Sequence, residues 1–128
     1  MIENLTTYLQ ANGLGTLGTN LFIGELPLNV DNCVSVMYSS SPDPNLTLEV
    51  YEQVIEFWSR NKSSRQCYEQ LRLIKTLFER KHHYLMTDTY VYISSCLGLI
   101  DDYDVDIERR KLYKLSVRFV YRNNTLVS

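Results

Sequence analysis

Apolar residues recur along this chain with two different periods, and the switch between them lays out the elements. Ile2, Leu5 and Leu9 share one helical face with Tyr8 beside them, and Asn12-Gly13 ends the pattern because glycine enters the left-handed conformation without steric cost. The spacing predicts a short amphipathic helix over 2–12. Leu21-Phe22-Ile23 reads as a short strand stopped by Gly24 and Pro27, and Cys33 to Tyr38 as a second. The stretch that follows, SSSPDPN over 39–45, holds two prolines separated by one residue. Proline donates no ladder hydrogen bond, so an exposed loop or hairpin arm is expected there rather than a continued ladder.

Leu48 to Ser59 alternates as a long third strand: Tyr51, Ile55 and Phe57 point one way, and Val50, Glu52, Val54, Glu56 and Trp58 the other. A turn over 61–66 follows, where Ser63 and Gln66 have the spacing of a capping box. Cys67, Leu71, Ile74 and Phe78 fall at i, i+4, i+7 and i+11, with Leu73 and Leu77 alongside, which predicts the main helix over about 64–81. Thr89 to Leu97 reads as a fourth strand. After an acidic connection, Lys111 to Tyr121 is the clearest strand of all, with Tyr113, Leu115, Val117, Phe119 and Tyr121 on one face and Lys114, Ser116, Arg118 and Arg122 on the other. The order α-β-β-β-α-β-β implies an α+β fold: a mixed, mainly antiparallel sheet of about five strands with two helices packed on one face. One domain over 1–128 is expected, with 123–128 as a flexible tail.

Composition changes the picture in three places. Hydrophobic residues at 45% and charged residues at 22% exclude wholesale disorder. A net charge of −2 argues against a protein built mainly to grip nucleic acid, which needs a basic excess. Ten tyrosines against four phenylalanines and one tryptophan hint at contact with other proteins, because tyrosine combines large contact area with a polar tip. No apolar run approaches a membrane span and no signal peptide is readable, so a cytoplasmic origin is expected. Cys33, Cys67 and Cys96 are far apart and odd in number, as expected of buried free thiols.

Candidate chemistry is sparse. His82-His83 would point about 100° apart on a helix and could not share an ion, so they read as a polar helix end. The run from Asp101 to Glu108 lacks the glycine and glutamate that an EF-hand needs, having Ile107 and Tyr113 there. Glu52 and Glu56 lie on one face of a strand but about 13 Å apart, too far for a paired acid and base. No nucleophile elbow or zinc-protease motif occurs; no enzyme, metal or cofactor is expected. An RNA-binding sheet remains as an alternative, with Tyr90 and Tyr92 on one strand and Lys114, Arg118 and Arg122 on another, although the RNP1 pattern is absent. The same outward charges permit two further arrangements. Glu52, Glu56 and Trp58 can meet Lys114, Arg118 and Arg122 across the sheet, or between copies in a head-to-tail contact that closes a ring.

The opening helix, GTLGTNLFIGELP, the break SSSPDPN, the strand LEVYEQVIEFWSR, the helix SSRQCYEQLRLIKTLFER and the strand KLYKLSVRFVYR together resemble the tail terminator and minor capsid proteins of long-tailed (siphovirus) bacteriophages, related to the terminator of lambda-type tails. The likeness spans about residues 1–122 and rests on element order and pattern. It implies a structural protein whose copies form a ring, usually of six, that caps the tail tube, stops its polymerisation and offers the head-joining surface. Its partners would be further copies of itself, the tail tube protein and a head-completion or connector protein. Genomic DNA would pass through without specific binding, no membrane would be involved, and the protein would reside in the virion after assembly in the host cytoplasm. On that basis Asp101, Asp102, Asp104 and Asp106 are candidates to line the opening, where like charge repels passing phosphates. Glu52, Glu56, Trp58, Lys114, Arg118 and Arg122 are candidate subunit-interface residues. Ser40, Ser41, Pro42, Asp43, Pro44 and Asn45 form the candidate loop for reaching a neighbouring protein. Another head–tail connector of similar fold is the alternative within this class.

Overall fold

In a computed structural model, residues 1–39, 43–45, 50–106 and 108–123 are described, with backbone alone at 43–45, 104 and 123. The elements are α1 (Ile2–Ala11), β1 (Leu21–Ile23), β2 (Cys33–Tyr38), β3 (Asp43–Asn45), β4 (Val50–Asn61), α2 (Ser64–Phe78), β5 (Lys81–Met86), β6 (Thr89–Cys96), β7 (Asp101–Val105) and β8 (Lys111–Asn123). One sheet joins the strands in the order β1-β2-β4-β8-β6-β5. β3 pairs β4 and β7 pairs β8 off that path. Only β1 and β2 run parallel among the described pairings. The α+β class therefore holds, and both helices pack on one face.

Alternation in the two longest strands explains the layers. Ile55, Phe57, Leu115, Val117 and Phe119 are fully buried against Leu5 and Leu9 of α1 and Leu71, Ile74 and Phe78 of α2, within one core cluster. Each such side chain contributes roughly 1.5–3 kcal/mol through burial. Phe78 is the keystone: it stacks on Phe57 at 5.8 Å, meets Phe119 edge-on at 5.2 Å and lies 6.0 Å from Tyr8. Gly13 ends α1 with φ of 74°, as the sequence predicts. Ser63 caps α2 by accepting from the Gln66 backbone N–H, but the other half of the box differs. The Ser63 N–H is held by Asn61 Oδ1 at 2.9 Å instead of by Gln66.

Among the described residues eight strands stand where about five are expected, and each extra has a physical reason. α2 stops at Phe78, three residues short of the predicted end, because Glu79 is extended and Arg80 adopts φ of 51°. The chain then reverses into β5, so His82 and His83 sit on an edge strand, not on a helix end. The His83 backbone is left-handed and skipped in the β5–β6 register, which kinks that edge. The acidic connection is itself a strand: β7 pairs Asp101 with Lys114, Asp102 with Tyr113 and Asp104 with Leu112. Asp43, Pro44 and Asn45 do continue a ladder, opposite Glu52, Tyr51 and Val50. Proline is tolerated there because β3 pairs on one side only among the described residues. Of the predicted arm, 40–42 lie outside the described residues, as do 124–128 of the predicted tail.

Candidate assembly surface

The sheet face opposite the helices carries the outward residues of β4, β8, β6 and β7. Here the cross-strand charge pairing takes shape within one chain. Arg118 Nε donates to Glu52 Oε1 at 2.5 Å, and this bond holds the Glu52 carboxyl below its ordinary value and raises Arg118. Lys114 Nζ stands 4.0 Å from Glu56, whose Oε1 accepts from Trp58 Nε1 at 3.1 Å. The same ammonium lies 5.6 Å from the ring centres of both Trp58 and Tyr103, and those two rings meet edge-on at 4.7 Å. Because Glu52 and Arg118 are substantially exposed, Glu52→Gln is expected to change stability by less than about 1 kcal/mol. Urea titration at low and high salt checks this, the difference shrinking as salt rises.

Farther along β8, Arg122 covers Tyr90 at 5.0 Å, Tyr90 and Tyr92 meet at 5.1 Å, and the Tyr90 hydroxyl lies 2.9 Å from His83 Nδ1. Tyr90 and Arg122 thus share one open face, the geometry that an RNA-binding sheet requires. Two of its three cations already face carboxylates, however, which leaves little charge for phosphates.

Asp101, Asp102 and Asp106 do not form one strip, and the side chain of Asp104 lies outside the described residues. Asp101 and Asp102 are exposed, but as neighbours in a strand they point to opposite faces. Asp106 is occupied: Oδ1 accepts the backbone N–H groups of Glu108 and Arg110, and Oδ2 accepts Arg110 Nε at 2.7 Å. Burial alone would raise its pKa, but these hydrogen bonds and the guanidinium together bring it below the ordinary value.

Sequence reasoning misses the residues that secure this face. Arg60 and Arg110 are 3% and 1% exposed. Arg60 donates to the carbonyls of Leu26, Pro27 and Val30, and Arg110 to those of Leu28 and Val30. Together they clamp the 26–30 loop over the end of the sheet. Arg60 falls on the outward parity of β4, where an arginine reads as solvated; the Pro27-containing loop that covers it has no periodicity to announce it.

All three cysteines are free, Cys33 and Cys67 fully buried and Cys96 half-buried. Burial and the neighbouring Glu79 push the Cys96 thiol up to about 12, so it stays protonated. Among the described residues no group of His, Cys, Asp or Glu could hold a metal ion, and no helix is long and apolar enough to cross a membrane.

Two helices on one side of an open sheet, with paired charges and aromatic rings on the other, define an α+β domain of open-faced type. The family described as bacteriophage tail terminator protein matches residues 8–122, from within α1 to within β8. The chain belongs to that family, and is a structural protein of phage tail assembly and a component of the virion. No curated protein matches it.

Proposed function

We propose that this chain ends the growth of a phage tail. Copies form a ring, six in the simplest arrangement, that caps the finished tube, stops its polymerisation and presents the surface to which the head connector joins. The family match over 8–122 carries this reading. The open face supports it, since its aromatic rings and paired charges suit contact with other proteins. The arm that includes β3 is the proposed contact with a neighbouring protein.

The test is to withdraw the gene from a phage that carries it and to measure tail length by electron microscopy. Tubes of runaway or irregular length are expected, with heads left unjoined. Tails of normal length joined to heads would overturn the reading. Light scattering of the purified protein, alone and with tube protein, is expected to give a ring-sized mass. A monomer that binds RNA in a salt-sensitive way would favour the RNA-binding alternative instead.

A further inference from the structure

Charge is distributed along this chain in blocks. Residues 60–81 hold seven basic and two acidic side chains, whereas 82–108 hold six acidic side chains and no lysine or arginine. Several of these charges are taken up within the chain, by Lys62 with Asp31, Arg72 with Glu69 and Asp106 with Arg110, and two surfaces remain to be set against each other. The first is a groove of about 520 Å³ where the C-terminal ends of α1 and α2 meet, lined by Leu14, Leu73 and Leu77 together with the charged Glu79, Arg80 and Lys81. A second cavity of about 390 Å³ adjoins it and shares Leu14 and Leu73. Leu73 is 47% exposed, an apolar floor open to solvent. Arg80 is exposed and forms no ion pair among the described residues.

The second surface is the ledge between β6 and β7. Gly98, at φ of 84°, turns the chain there, leaving Leu97 47% and Leu99 76% exposed. Asp101 and Asp102 follow at once, exposed and without an ion pair among the described residues. A leucine this exposed is not seated in the groove of its own chain. An apolar knob flanked by acids complements an apolar groove whose charged lining is basic by one, Arg80 and Lys81 against Glu79, with Glu79 already accepting from the Cys96 backbone N–H.

We infer that the groove between the helix ends takes the Leu97–Asp102 ledge of a second copy of this chain. The inference rests on the proposed ring and deepens it by naming the surfaces that join neighbours. Because each copy presents both surfaces, the contact is head-to-tail and repeats until the rotation closes. Asp101 and Asp102, on the two faces of their strand, then flank the seated leucines from either side.

The test uses charge reversal in the full chain, with circular dichroism as the check on folding and light scattering as the readout, with and without tube protein. Arg80→Glu alone, and Asp101→Arg with Asp102→Arg, are each expected to raise the concentration needed for assembly by about tenfold or more, because like charges then face one another. Mixing the two variants is expected to restore assembly, since each reversed groove then meets a reversed ledge. Folded variants that assemble like the original protein would overturn this contact and leave the ring standing. An original protein of two-chain mass that responds to the reversals would keep the contact and remove the ring. A groove variant, Leu73→Lys, that assembles normally but no longer binds tube protein would assign the groove to the tube and overturn the inference. A protein that is monomeric under all these conditions would remove both.

Discussion

Replacing Arg110 by alanine is expected to cost about 3 kcal/mol of stability, the scale seen when one partner of a buried ion pair is removed. The side chain is 1% exposed, and its loss removes a donor from the Asp106 carboxylate and from the carbonyls of Leu28 and Val30, the last of which keeps Arg60. Lysine is not expected to rescue it. A single ammonium cannot reproduce the branched guanidinium that reaches strand and loop at once. Urea denaturation followed by Trp58 fluorescence reads the loss directly, because Trp58 lies on the same face. A midpoint within error of the original would show that the loop does not need its clamp. The same pair carries a pH dependence of fixed sign. With its pKa below the ordinary value in the folded protein, Asp106 contributes fully above the unfolded carboxylate pKa, and that contribution is lost as the pH falls through the folded value. Asp106→Asn is therefore expected to be less stable at neutral pH and to lose less on acidification.

Phe78→Ala is expected to be at least as damaging, at about 3–5 kcal/mol. Phe78 is fully buried, and its ring joins both long strands to α1 through Phe57, Phe119 and Tyr8. Truncation removes the burial of one large side chain and leaves a void whose walls belong to three elements, which cannot all move inward. It also loosens the last turn of α2, whose carbonyl at Phe78 accepts from Ser94 Oγ at 2.8 Å. Against a usual total of about 5–15 kcal/mol, such a loss brings unfolding close to working temperature. Thermal denaturation by circular dichroism checks it, and Phe78→Leu, which keeps most of the volume, is expected to recover most of the loss.

The legibility of this fold follows the strength of each periodic signal. α2, β4 and β8 are readable because one face of each is buried continuously, so Cys67, Leu71, Ile74 and Phe78, or Leu115, Val117 and Phe119, repeat at the period of their element. β5 has no such repeat: His82, His83 and Leu85 are exposed, and the buried residue that anchors it, Met86, stands at its end. β7 is masked by its acids, since an exposed strand paired on one side needs no apolar face. The end of α2 is unreadable because Arg80 takes a left-handed backbone where glycine would have marked the stop. On the outer face, parity puts Glu52 and Glu56 on one side of their strand and Lys114 and Arg118 on one side of theirs, but the register that brings Glu52 to Arg118 and Glu56 to Lys114 is not readable from it. Nor is the burial of Arg60 and Arg110, because it depends on where an irregular loop comes to rest. Tyr103 joins Trp58 only because β7 pairs with β8 at all.

The two margins of the sheet bear on what self-association can look like. β1 is three residues long, and β5 is broken by the left-handed turn of its backbone at His83. Neither offers the straight row of amide and carbonyl groups on which foreign strands grow. Strand-to-strand addition at these two margins is therefore disfavoured, and copies that meet there must do so through side chains, with a geometry that can terminate.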